Sequence, residues 1–90
     1  MLEKTIYANG QKVFELKNEQ LTYFFKSGGL KARGAFVKNR KEGFWQYFRA
    51  NGDLWKEGFY KAGKKHGRWL RFSPEGQVEF EAEFNMGVRI

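Results

Sequence analysis

Gly58-Phe59-Tyr60-Lys61-Ala62-Gly63-Lys64-Lys65 has the spacing of a phosphate-binding loop up to its last position, where Lys65 replaces the Ser or Thr. That loop works by aiming the N–H groups of a helix start at phosphate, so it needs a strand before it and a helix after it. Residues 68–73 read instead as a strand, and both glycines belong to a repeat described below, so nucleotide hydrolysis is rejected. His66 is the single histidine and there is no cysteine, which leaves no set of zinc ligands. It falls in a basic turn and reads as solvated. Ser27 and Ser73 both lie in turns without an evident base. Glu79, Glu81 and Glu83 alternate along one strand and so share a face; a row of solvated charge is a simpler reading than an acid–base pair. These residue types support no catalysis, metal or cofactor.

The elements that position them follow from composition and period. The chain has 90 residues, a formal net charge of +7, 11 glycines, one proline and 19% aromatic residues. One domain fits that length, and folding at this size hides roughly 64% of the unfolded chain's surface. Aromatics with many glycines favour strands and tight turns. "MLEKTIYANG" lacks the apolar run of a signal peptide and no stretch is long enough to span a membrane, so the expected location is cytoplasmic.

A repeat of 24 residues runs through the sequence. Gly28, Gly52 and Gly76 keep that spacing, as do Leu21, Trp45 and Trp69, Phe24, Phe48 and Phe72, Leu30, Leu54 and Val78, and Phe36, Tyr60 and Phe84. "YANGQ" at 7–11 repeats the turn of "RANGD" at 49–53. The expected division of residues 1–90 is therefore a shortened cap over 1–20 and repeats over 21–43, 44–67 and 68–90. Asn51-Gly52 predicts a two-residue hairpin turn with positive φ at both positions, with Ser27-Gly28 and Glu75-Gly76 equivalent to it. "NRKEG" at 39–43 and "GKKHG" at 63–67 predict longer turns. Two strands and two turns per repeat make an all-β antiparallel meander of seven or eight strands, a single-layer or gently curled sheet.

A two-residue loop at 51–52 places Phe48 opposite Trp55, Tyr47 opposite Lys56 and Trp45 opposite Gly58. Side chains alternate between faces, so one apolar face carries Trp45, Tyr47, Leu54, Gly58 and Tyr60 with their equivalents from Leu21 to Phe84, and Trp45 covers Gly58. The other face mixes Phe24, Phe48, Phe72, Phe44, Trp55 and Phe59 with charged residues. Phe24, Phe48, Phe72 and Trp55 are the candidate protein-binding face; the competing reading is that these rings prop the sheet under charged stems. With so few elements to cover a face, self-association with twofold symmetry is a further expectation.

The long turns and their flanks hold Lys38, Arg40, Lys61, Lys64 and Arg68 together with Lys41, Lys65 and His66, all expected along one edge of the sheet. The opposite turns are neutral or acidic. This rim is the candidate site for anionic lipid or an acidic protein surface, against simple solubility and protection of the edge. Aromatics among Lys and Arg resemble a platform for stacking bases, but no RNA-binding signature is present, so nucleic acid is not the expected partner.

"GFWQYFRANGDLWKEGFYKAGKKHGRW" resembles a MORN repeat, in the variant with W-x-x-[YF]-x-x-x-G-x-[LV]-x-x-[EG] spacing found in bacterial YwqK-type proteins described as antitoxins. The resemblance covers residues 21–90 and extends more weakly over 5–20. It departs from the pattern at Leu21 in place of Trp, Asn39 in place of the turn Gly, and Ala82 in place of Gly. It implies a hairpin array that binds or scaffolds without catalysis. In the bacterial variant the implied partner is a toxin protein; in eukaryotic arrays it is membrane or phosphoinositide.

Overall fold

The computed structural model describes residues 5–90; the first four residues of the expected cap lie outside it. Nine strands follow one another: β1 (Phe14–Lys17), β2 (Gln20–Phe24), β3 (Leu30–Val37), β4 (Arg40–Phe48), β5 (Leu54–Lys61), β6 (Lys64–Lys65), β7 (Gly67–Phe72), β8 (Val78–Asn85) and β9 (Val88–Arg89). They form one antiparallel sheet in sequence order, with the short β6 pairing only with β5. The sheet is an open meander built as expected. The additional strand arises because β6 and β7 are one strand interrupted at His66, whose N–H bonds to the Phe59 carbonyl.

The two turn types are exchanged relative to the sequence expectation. At one edge the loops have two residues, both at positive φ: Asn18-Glu19 (53° and 63°), Lys38-Asn39 (52° and 66°), Ala62-Gly63 (51° and 83°) and Met86-Gly87 (48° and 91°). The long turns anticipated at 39–43 and 63–67 are thus tight turns, followed by irregularities at Gly43 and Gly67. At the opposite edge Gly52 donates to the Arg49 carbonyl and Arg49 to the Asp53 carbonyl, enclosing three residues, and only Gly52 has positive φ (97°). The same two bonds recur at Tyr7–Gln11, Phe25–Gly29 and Ser73–Gln77. This is a type I turn closed by a glycine in the left-handed region. Asn-Gly suits both arrangements, and here the Asn51 side chain accepts from the Asp53 N–H at 3.0 Å.

The longer loop shifts the register by one, and a bulge returns it. Phe48 pairs with Leu54, Trp55 is left over, and Tyr47 pairs with Lys56 as expected. Lys31 and Glu79 are left over in the same way in the neighbouring hairpins. Leu30, Leu54 and Val78 consequently stand opposite Phe24, Phe48 and Phe72 rather than on the tryptophan face.

The core is thin and lies on one face. Leu21 and Trp45 are fully enclosed, with Ala32, Trp69, Ala82, Gly34 and Gly58 buried beside them. The expected pairing of Trp45 with Gly58 is present, but the rings lean the other way. Trp45 lies over Gly34, and Trp69 lies over Gly58. Each indole N–H then reaches a carbonyl on the preceding hairpin, Trp45 to Ala35 at 2.8 Å and Trp69 to Phe59 at 2.9 Å. No side chain at residue 34 or 58 could coexist with these rings, so the glycines are required by close packing.

Candidate binding faces and a lysine-lined groove

On the tryptophan face the aromatic rings form a continuous wall. Tyr23, Tyr47 and Tyr60 all lie within 6.5 Å of Trp45, centre to centre, and Tyr47 and Tyr60 both continue to Trp69. Tyr47 and Tyr60 share a hydrogen bond of 2.7 Å, and Lys41 Nζ donates to the Tyr47 hydroxyl at 3.2 Å. Burial, reinforced by the hydrogen bond with Tyr60, holds the Tyr47 phenol far above its ordinary value; burial also raises Tyr60 and Tyr23.

Lys41 and Lys65 therefore leave the basic rim to which the sequence assigned them. Lys41 Nζ sits 5.1 Å from the ring centres of Trp45 and Tyr60. Lys65, one repeat later, sits 4.8 Å from Trp69 and 5.1 Å from Phe84. Lys56 stands between them, 4.5 Å from Trp55 and 5.0 Å from Tyr47. Burial lowers the pKa of Lys41 and of Lys56; Lys56 adds repulsion at Lys41, and Lys65 and Arg71 add it at Lys56. Among the described residues no carboxylate pairs with Lys41, Lys56 or Lys65.

Trp55 belongs to this side as well. The sequence placed it beside Phe48, but the bulge turns it toward Lys56. There it lines a groove of about 150 Å³ with Lys56, Lys65, Trp69, Arg71, Phe80 and Phe84. Arg71 is engaged by Glu79 at 3.0 Å. Glu79 thus leaves the expected row of three glutamates, because it is the left-over residue of its own bulge. Glu81 remains on the mixed face and pairs with Arg68 at 2.6 Å, so Arg68 is not on the rim either.

The mixed face holds Phe24, Phe48 and Phe72, each half-buried. The Arg33 guanidinium lies 5.5 Å from the Phe48 ring, and a chain of hydrogen bonds joins Arg33 to Gln46 and Gln46 to Glu57. Phe44 and Phe59 are the open aromatics of this face. Their centres are 5.3 Å apart and they are 43% and 47% exposed.

Lys38, Arg40, Lys61 and Lys64 occupy the tight-turn edge and are exposed. The Arg40 stem packs against Gly63 and the Lys64 stem against Gly87, so each basic side chain supports the turn one repeat ahead. His66 also has a structural place: its Nδ1 accepts from the Met86 N–H at 3.2 Å. Glu42, 24 residues earlier, accepts from the Ala62 N–H at 2.6 Å. The two perform one task in successive repeats. Gly58 to Lys65, the stretch with phosphate-loop spacing, runs along β5 and around the 62–63 turn into β6, with no helix.

The repeat-to-repeat identity of these contacts agrees with comparison to known families. Residues 41–62 and 65–86 match the MORN repeat variant. MORN repeats are generally protein- or membrane-binding modules and are typically not enzymes. The two matched segments contain Trp45, Tyr47, Tyr60, Trp69 and the groove residues, whereas Tyr23 and the Gly34 that Trp45 covers precede them. No curated protein and no solved structure matches the chain.

Proposed function

We propose that this chain is a non-catalytic protein-binding module that takes its partner on the mixed face, around Phe44 and Phe59. The observation that carries this reading is that pair of touching, tilted and exposed rings in a single-layer sheet. Paired exposed aromatics beside half-buried rings make the kind of anchor on which binding energy concentrates. An antitoxin-like role, with a toxin as the partner, is the finer form of the proposal and rests on the resemblance to the bacterial repeat variant. The test is capture from host lysate by the wild type and by a Phe44→Ser/Phe59→Ser variant whose fold is checked by circular dichroism. The proposal expects a protein held by the wild type and lost by the folded variant; equal capture by both overturns it. Phe24, Phe48 and Phe72 are less suitable for this test, because each pairs with an apolar residue across its hairpin and supports the sheet.

A second reading is favoured by the exposed Lys38, Arg40, Lys61 and Lys64 along one edge. They would attract an anionic membrane with about 1 kcal/mol per basic residue near the surface. It predicts salt-sensitive sedimentation with anionic vesicles, lost in Lys61→Glu/Lys64→Glu. Binding indifferent to salt and to these changes would eliminate it.

A further inference from the structure

The groove on the tryptophan face carries an unbalanced charge that neither reading above uses. We propose that it is a docking site for an extended acidic peptide, with a carboxylate received between Lys56 and Lys65 and an adjoining apolar side chain packed on the exposed rings of Trp55 and Phe80.

Charge complementarity is the first argument. Three cations, Lys56, Lys65 and Arg71, converge on the groove. Glu79 is engaged with Arg71, and Arg89 adds a fourth cation over the outer wall, 5.2 Å from the Phe80 ring. Lys56 and Lys65 have no carboxylate partner among the described residues. The lowered pKa of Lys56 reports the same strain, since burial and two neighbouring cations disfavour its charged form. An arriving carboxylate converts this repulsion into attraction in a partly desolvated setting, where charge-assisted hydrogen bonds are strong.

The walls give the second argument. Lys56 rests over Trp55 and Lys65 over Trp69, so an anion reaching either ammonium must pass along aromatic surface. A bare phosphate would leave that surface wet. A peptide in which acidic and apolar side chains neighbour one another satisfies the lysines and covers the rings together. The groove also lies on the face opposite Phe44 and Phe59, so the site is separate from the one under Proposed function.

The test is a titration with a short peptide alternating Glu and Leu, followed by tryptophan emission, since Trp55 is exposed in the groove whereas Trp45 and Trp69 are buried. The same peptide with Gln for Glu and vesicles of phosphatidylglycerol are the comparison ligands. The Glu peptide is expected to bind with an affinity that falls with salt. Affinity should drop by about tenfold or more for the Gln peptide and for Lys56→Gln/Lys65→Gln, the scale of losing one charge-assisted contact. That variant should unfold at no lower temperature than the wild type, because it removes crowded cations, and so its loss of binding is not a loss of fold. Phe44→Ser/Phe59→Ser should bind the Glu peptide as the wild type does. Equal affinity for the Gln peptide, unchanged affinity in the lysine variant, loss of affinity in the phenylalanine variant, or vesicle binding through these lysines without peptide binding would each overturn the proposal.

Discussion

The indole of Trp69 fills the space that a side chain on Gly58 would need, and its N–H bonds to the carbonyl of the next residue, Phe59. Trp45 and Gly34 stand in the same relation one repeat earlier. Tryptophan and glycine thus act as one unit that joins each hairpin to the one before it. Gly58→Ala should therefore destabilise the protein by about 1–3 kcal/mol or more, the cost of overpacking a filled site. Gly29→Ala, where the new carbon meets only ordinary contacts, should change stability by no more than about 0.5 kcal/mol. Urea unfolding midpoints of the two variants decide the matter.

The tight turns carry avoidable strain. Ala62 holds φ at 51° without the tolerance of Gly or Asn. Ala62→Asn makes the turn Asn-Gly, keeps the N–H that Glu42 receives, and should raise stability by about 0.5–1 kcal/mol. A rise in melting temperature checks it; an unchanged or lower value would show that the turn is held without strain.

Glu42 and His66 occupy equivalent positions and accept from equivalent N–H groups, of Ala62 and Met86. Each should be replaceable by the other. Glu42→His and His66→Glu are expected to be near neutral, whereas Glu42→Ala should cost about 1 kcal/mol through the lost bond. Chemical denaturation of the three variants makes the comparison.

The tryptophan face predicts a stability that peaks in mild alkali. Lys41 and Lys56 have lowered pKa values in the fold. The unfolded chain holds these protons more firmly, so stability rises as pH climbs toward the ordinary lysine value of 10.5. Tyr47 and Tyr60 are raised, so their contribution is complete below the ordinary 10.0 and is lost as pH rises above it. Denaturation midpoints across alkaline pH should rise and then fall. Lys41→Met should flatten the rise and Tyr47→Phe the fall; two unaltered profiles would contradict the assignment.

Much of the architecture was legible because a period of 24 residues is a property of the chain alone. It set the meander, the number of hairpins, the register of Trp45 with Gly58 and the buried line of Leu21, Trp45 and Trp69. Two errors in the turns, a loop longer by one residue and a bulge that absorbs it, cancel within each hairpin, so the central register could be right while the turn chemistry was reversed. Asn-Gly fits both turn types, and only the closing hydrogen bonds distinguish them.

The site was less legible for the same local reason. Moving one residue into a bulge carries Trp55 from the side of Phe48 to that of Lys56, and alternation along a strand cannot reveal this. Lys41 and Lys65 are long enough to reach either solvent or the rings, and their choice follows from the position of Trp45, Tyr60 and Trp69 on neighbouring strands. The sequence by itself determined which residues repeat and hence the fold; the tertiary structure alone decided which way the flexible cations and the left-over residues turn, because that depends on surfaces assembled from different hairpins.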